Sequence, residues 1–573
     1  MVATEKVFLS SSTTDFPPTI TQNEEQVYNP LLEIAQKIVR DCSYLEVKTE
    51  ATKLFHHTDG LCVVPIISCF EESDVLNFFR NSKKRLTIQK IVENFGLNED
   101  YFRVALRSLS TVGIIRRIGI NNSKDIKVVL TSFGHRVADN AKLYIQTNKA
   151  LLTGAEAEEI ICLVRHASNE WKKTKLSYMS RWFLSEPDQT IINQLEGVLL
   201  GPLVCALMRM KLLSNPSINL SDVDILPDVF NLLANQGWYH REGMTFFKTR
   251  RGEIALSLAI LYGMPVSYIP LMRQFPSLLR NGFSPSIWKV QSDGTENHID
   301  RSLNLSATSL MFMKKSPSLT ALHKRFLERV LSKLFDQTPL DKQPGFICDM
   351  GCGNGTFLIE LYRLVRDLTK RGKHLKQYPL TMIGADISMQ ALNITSKNLA
   401  TEDVPHRICT GDIGQPDCFA KTLADMGLDI SDGLHVRSFL DHNRTYEGVK
   451  NTDAALKRRD DYSIMGAFID RQGKHIPDNY LHQNLVEHLQ QWAEHTHKFG
   501  FVTIESNTLD DAVMSSCPGR HRFIDINHLW SAQYLVDRKV FLRAVNEAGL
   551  KAEKSDYLYN VMFLWLVAKH LVH

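Results

Sequence analysis

The strongest constraint lies between residues 345 and 365. Gly345-Phe346-Ile347-Cys348-Asp349 leads into Met350-Gly351-Cys352-Gly353-Asn354-Gly355, and a helix-period stretch runs on from Thr356 to Val365. A short apolar run, a glycine-dense turn and a 3.6-period segment read as buried strand, loop and helix. That order belongs to an α/β architecture with a parallel sheet. Glycines at alternate positions bring the backbone close to a ligand where Cβ atoms would block it. Asp349, at the strand end, is placed to order the loop. The spacing is G-x-G-x-G, and Thr356 stands where a dinucleotide fingerprint would have its last glycine.

Two further strands repeat the arrangement. Residues 381–386 end in Asp386, followed by Ile387, with the carboxylate placed to accept both hydroxyls of a ribose. Asp386 lies 37 positions beyond Asp349, and the excess falls in a basic stretch, 370–376, that reads as an extended helix-loop. Residues 406–410 run into Gly411-Asp412-Ile413, where Asp412 can accept from an adenine amino group and Ile413 can pack on the ring. Three acids in register after successive strands resemble the class I S-adenosylmethionine-dependent methyltransferase family. The resemblance implies an α/β, Rossmann-like, doubly wound sheet closing in an antiparallel hairpin. It assigns the donor, S-adenosylmethionine, to Asp349, Gly351, Gly353, Gly355, Asp386, Ile387, Asp412 and Ile413. The tail fits, with 541–550 as a last helix stopped at Gly549 and 561–568 as a closing strand.

In such a sheet the acceptor lies beyond the fourth and fifth strands, here 433–444 and 499–505, which makes Arg437, Asp441, His442 and Glu505 candidates for chemistry. Residues 527–535 add His528 and Gln533. His435 is expected in the core, and His482, His488, His495 and His497 at the surface of a helix.

Over about 80–573 the chain resembles something narrower: the metal-dependent C-methyltransferase domains of apratoxin-type polyketide synthase loading modules, most specifically in 434–444 and 528–534. That resemblance implies methylation of the α-carbon of a malonyl, or similar 1,3-dicarbonyl, acyl group on an acyl carrier protein. Polyketide synthase modules would be the partners. It also implies mononuclear iron, or manganese or cobalt, as Lewis acid on His442, His528 and Gln533, with His442, Asp441 and Arg437 catalytic. The chemistry is coherent, because a 1,3-dicarbonyl chelated through two oxygens loses its α-proton readily and the enolate attacks the methyl sulfonium. Loading modules of that type continue into an acetyltransferase-like domain and a carrier. This sequence ends at His573 and reads as an excised piece or a free-standing relative. Metal-free O-methylation of a small molecule with His442 as general base stays open, as does a winged-helix DNA-binding regulator.

At 573 residues the chain exceeds one domain, and the expected division is a flexible lead over 1–28, a winged-helix-like helical domain over 29–150, a lid and linker over 151–300, and the methyltransferase domain over 301–573. The N-terminal region is thus a mainly helical, winged-helix-containing lid. Residues 87–97 and 98–108 read as helix, Gly turn and helix, with a wing at 113–117 and 127–131, and 231–253 as a degenerate second unit. The helix beginning at Glu99 and Asp100 opens with two acids, which disfavours a phosphate backbone, and the net charge of +4 calls for no polyanion. Nucleic acid is therefore not an expected partner. No membrane partner is expected either, since no run reaches the roughly 18 apolar residues of a span. The ten cysteines are scattered without CxxC pairs and residues 1–16 lack the order of a signal peptide, so the expected location is cytoplasmic.

Overall fold

The computed structural model describes residues 32 to 572 apart from 34, 82–87, 119–126, 154–185, 223–226, 293–294, 310–326, 459–466, 510, 517–518, 553–556 and 562–563. The lead expected over 1–28 lies outside the described residues. Helix α1 (Tyr44–Glu72) opens on a capping box, in which Ser43 accepts the Glu46 amide and Glu46 accepts the Ser43 amide. Most of α1 from Val47 to Phe70 is buried, so it is a central core helix.

The first expected helix pair is present as α2 (Ile88–Phe95) and α3 (Glu99–Thr111), with β1 (Ile115–Ile118) antiparallel to β2 (Lys127–Leu130) as its wing. Helix α4 (Glu186–Arg209) packs along α1. A Cβ at Gly60 would overlap the Gln194 backbone, and one at Gly197 the His57 backbone, so two glycines let the helices cross in contact. The segment Gln189–Arg209 is long and apolar enough to cross a membrane, but 72% of its most apolar window is buried against the rest of the protein. The second unit is more complete than its sequence suggests. β3 (Ser217–Asn219), α5 (Pro227–Asn235), β4 (Tyr239–Glu242), β5 (Thr245–Lys248) and α6 (Arg250–Ser257) include a three-stranded sheet ordered β3-β5-β4.

After α7 (Arg301–Ser309) the chain alternates strand and helix: β6 (Phe346–Met350), α8 (Thr356–Leu368), β7 (Thr381–Asp386), α9 (Met389–Thr401), β8 (His406–Thr410), α10 (Pro416–Asp425), β9 (Gly433–Ser438), α11 (Asp478–His495) and β10 (Phe501–Ser506). Two helices follow, α12 (Arg520–Trp530) and α13 (Arg538–Glu547), then β11 (Lys551–Ala552), β12 (Tyr557–Val561) and β13 (Leu564–Val572). The eight-stranded sheet has the order β11-β13-β10-β9-β6-β7-β8, with β12 also on β13. Strands β6 to β10 are mutually parallel, and β13 runs antiparallel to β10. This is the doubly wound sheet with a terminal hairpin that the resemblance implies. The order reverses between β6 and β9, and the carboxyl ends there form the binding crevice. The long β6–β7 connection is α8 and a turn at Arg371–His374. The buried Arg371 ties it down by donating to the carbonyls of Tyr378 (2.8 Å) and Pro379 (3.0 Å).

The two halves of the chain interlock through α12. Arg522 reaches Asp59 of α1 at 2.8 Å, and Asp525 takes Arg107 of α3 at 3.1 Å. Trp530 stacks on Phe275 at 3.9 Å and lies 5.7 Å from Tyr101. Helix α3, the recognition helix of the DNA-binding alternative, is buried along most of its length. Its contact face is occupied by α12.

Candidate active site

The carboxyl ends of β6, β7, β8 and β9 open into a cavity of about 240 Å³ that also takes in Tyr268 from the N-terminal half and Arg301 and Asn304 from α7. Gly351, Gly353 and Gly355 all have positive φ, between 59° and 78°, as a loop hugging a ligand requires. Asp349, Gly351, Gly353, Asp386, Ile387, Asp412 and Ile413 all line the cavity, while Gly355 closes the loop as N-cap of α8. One expectation is corrected here. The loop is ordered not by Asp349, whose buried Oδ1 has no partner among the described residues, but by Asp386, whose Oδ2 accepts the Gly353 amide at 3.2 Å. Burial, and then the neighbouring Asp386, push the Asp349 carboxyl well above the usual carboxylate range. Burial also raises Asp386, against the opposing amides of Ser388 and Gly353. A carboxyl poised in this way loses its desolvation cost when ribose hydroxyls donate to it.

On the acceptor side, His442 and His528 face one another with ring centroids 4.7 Å apart, and both line the cavity. His442 Nδ1 lies 2.5 Å from Glu505 Oε1, and its amide donates to Oε2 at 3.1 Å. His528 Nδ1 lies 2.5 Å from the Ile524 carbonyl. A carboxylate and a carbonyl can only accept, so both Nδ1 atoms carry a proton, which leaves Nε2 with the lone pair whenever the ring is neutral. Burial, then the nearby His442, holds the His528 imidazole well below its usual proton affinity. Among the described residues neither Nε2 has a hydrogen-bond partner. Phe439, at the end of β9, has φ 58°, a region costly for a bulky residue. This bend brings Leu440 and His442 under the cavity.

Three sequence-based expectations need correction. Arg437 and Asp441 do not line the cavity. They form a buried pair at 3.2 Å behind it, with Arg437 sandwiched against Phe501 and Trp492 and Asp441 held by Thr503 at 2.6 Å. Apolar aromatic walls on both sides of Arg437 explain why the pair is sealed away from substrate. His488, expected at the surface, is buried and lies 3.0 Å from Asp441, and His482 is buried beside Glu547. His435 is in the core as expected, against the Ile430 carbonyl at 2.7 Å. Gln533 is beside the histidines, but its Oε1 accepts from Tyr268 (3.1 Å) and Ser531 (2.5 Å) and its Nε2 donates to Asn443 (3.1 Å). Both lone pairs of that oxygen are occupied. Glu505, Tyr268 and Arg471 acquire their place in the site only through the fold. Glu505 alone carried a signal, as the acid closing β10.

Three family models match the chain: the AprA N-terminal domain over 51–117, the AprA winged helix domain over 196–281, and the AprA MT2-like domain over 296–561. The winged helix of the family is therefore the second unit, which the sequence suggested only in degenerate form. Solved structures with similarity include LepI in complex with SAM, at 10% identity and TM-score 0.40 over 72% of this chain and 96% of that one. An O-methyltransferase family 2 protein from Planctomyces limnophilus in complex with apigenin gives 10% and 0.35 over 91% and 95%. The citrinin polyketide synthase CMeT domain gives 10% and 0.32 over 60% and 76%. No curated protein matches. Sheet order, donor cradle and family matches together define a class I S-adenosylmethionine-dependent methyltransferase. More narrowly, the chain belongs to the AprA-type methyltransferases, with N-terminal, winged-helix and MT2-like domains in that order.

Proposed function

We propose that the protein transfers the methyl group of S-adenosylmethionine to the α-carbon of a malonyl-type acyl group on an acyl carrier protein in polyketide biosynthesis. The observation that carries this reading is the pair of imidazoles, His442 and His528, that line one cavity together with the glycine loop and the strand-end acids, their ring centroids 4.7 Å apart. His442 Nε2 takes the α-proton of the acyl group. Glu505, on Nδ1, stabilises the imidazolium that forms. The carbanion then attacks the methyl carbon, the carbon–sulfur bond breaks, and S-adenosylhomocysteine leaves with the electron pair. The donor acids Asp386 and Asp412 hold the ribose and adenine so that the sulfonium methyl points toward the histidines.

The same two nitrogens suit a divalent first-row ion, because each ring is oriented through Nδ1 by an oxygen, as metal-bound histidines usually are. Such an ion would polarise the acyl oxygens and acidify the α-carbon, and it would replace His442 as base, since a nitrogen that held the ion would have no lone pair for the α-proton, which would then be lost to solvent. Gln533 does not fit as a third ligand while Tyr268 and Ser531 occupy its oxygen. Among the described residues no three His, Cys, Asp or Glu side chains cluster as a metal site. Elemental analysis of the purified protein and of the His442→Ala, His528→Ala and Gln533→Ala variants tests this. The expected result is metal in the wild type, loss in both histidine variants and retention in Gln533→Ala. Failure of any metal to co-purify or rebind removes the ion from the reading.

The short His442–Glu505 contact also favours a second reading, metal-free O-methylation with His442 as general base. Full activity on a phenol in the presence of chelator, with none on a malonyl thioester, would establish it.

A further inference from the structure

The reaction above gives no task to Arg471, which lines the cavity. It stands in the turn of the small hairpin formed by Phe468–Ile469 and His475–Ile476. That turn is fixed, because Asp470 Oδ1 accepts the amides of Gln472 (2.8 Å) and Lys474 (2.9 Å) while the Gly473 amide donates to the Asp470 carbonyl (2.9 Å). Trp288, from the N-terminal half, holds the other side. Its indole N–H donates to the Arg471 carbonyl at 2.8 Å, and the guanidinium lies 5.9 Å from the ring centroid.

The cavity's other arginine, Arg301, is held bidentately by Glu296 at 2.6 and 2.8 Å. No carboxylate among the described residues pairs with Arg471. The acids of the cavity, Asp349, Asp386 and Asp412, lie at the donor end. Arg471 is therefore the arginine of the described lining left open to an anionic acceptor, and its planar guanidinium can hold a carboxylate through two parallel N–H···O bonds.

We propose that Arg471 binds a carboxylate borne by the acceptor, so that the acyl group is methylated while its free carboxylate is still attached. This rests on the C-methylation reading and adds a second recognition element to the thioester carbonyl. The test compares wild type, Arg471→Gln and Arg471→Lys on malonyl and acetoacetyl thioesters of N-acetylcysteamine, the second being an uncharged 1,3-dicarbonyl without phosphate. Arg471→Gln is expected to raise KM for the malonyl thioester roughly ten- to a hundredfold, as loss of a charge-assisted pair does. Little change is expected in kcat or in either constant for the acetoacetyl thioester, and Arg471→Lys should recover part of the loss. Unchanged S-adenosylhomocysteine affinity by calorimetry checks that the variants are folded. Equal effects on both thioesters, or none on the malonyl one, overturn the proposal. A wild type inactive on both thioesters removes the C-methylation reading itself, and the proposal with it.

Discussion

His442 reaches the cavity because three separate contacts hold it. Its ring and amide bond to Glu505, and its carbonyl accepts the Tyr534 amide at 2.7 Å. Replacing Glu505 by Gln keeps the shape but removes the charge that stabilises the imidazolium. Glu505→Gln is expected to lower kcat by about a hundredfold, with S-adenosylhomocysteine affinity by calorimetry unchanged. Asp386→Asn should do the reverse. Losing a charged acceptor for two hydroxyls costs about 1.5–3 kcal/mol, so donor affinity should fall roughly ten- to a hundredfold in the same titration. The donor residues were readable in sequence because each follows its own strand, and strand, glycine turn and acid are local patterns. Arg437 and Asp441 were not. Nothing local distinguishes a strand-end arginine facing substrate from one packed between Trp492 and Phe501.

At the scale of elements, α12 is the part on which the rest depends. One side carries Arg522, Asp525 and Trp530 into the N-terminal helices, and another carries His528 into the cavity. The His528 imidazole is thus held in place by contacts of its helix with the N-terminal helices. Asp59→Asn leaves the buried Arg522 without its counter-charge and is expected to cost about 3–5 kcal/mol of unfolding free energy by denaturant titration. Burial works against the Asp59 carboxylate, yet Arg522 and then His56 hold its pKa below the ordinary value. The folded pKa is the lower one, so this contribution is present above the unfolded value near 3.9 and is lost as pH falls below it. Acid should therefore loosen this joint. The sequence signalled α12 only through its histidine, and that two glycines, Gly60 and Gly197, let α1 and α4 cross in contact could not be read from either segment alone.

Across the whole molecule, the buried histidines set the pH range of stability. His435, His482 and His488 are each lowered to about 4, in every case chiefly by burial. An unfolded imidazole titrates near 6.5, so between about 6.5 and 4 the unfolded chain binds more protons than the folded one. Stability is complete above that window and declines through it. Thermal unfolding should show Tm falling from pH 7 to pH 4.5, and His435→Asn should flatten the slope. A pH-independent Tm would contradict the neutral assignment. Two of these rings were expected at the surface, since a helix face flanked by histidines looks solvated until α13 and Asp441 close over it.

By itself the sequence determined the order of strands and helices in the methyltransferase half, the glycine loop and the acids that follow successive strands. These are short-range patterns in which each residue's neighbours state its environment. It also placed two winged units, though it ranked them the wrong way round. Only the tertiary structure decided which side chains share the acceptor end of the cavity. Tyr268, His442, Arg471 and the segment that carries His528 and Gln533 come from distant parts of the chain, with Glu505 bonded to His442, and the buried ion pairs and stacked rings around α12 help hold them together.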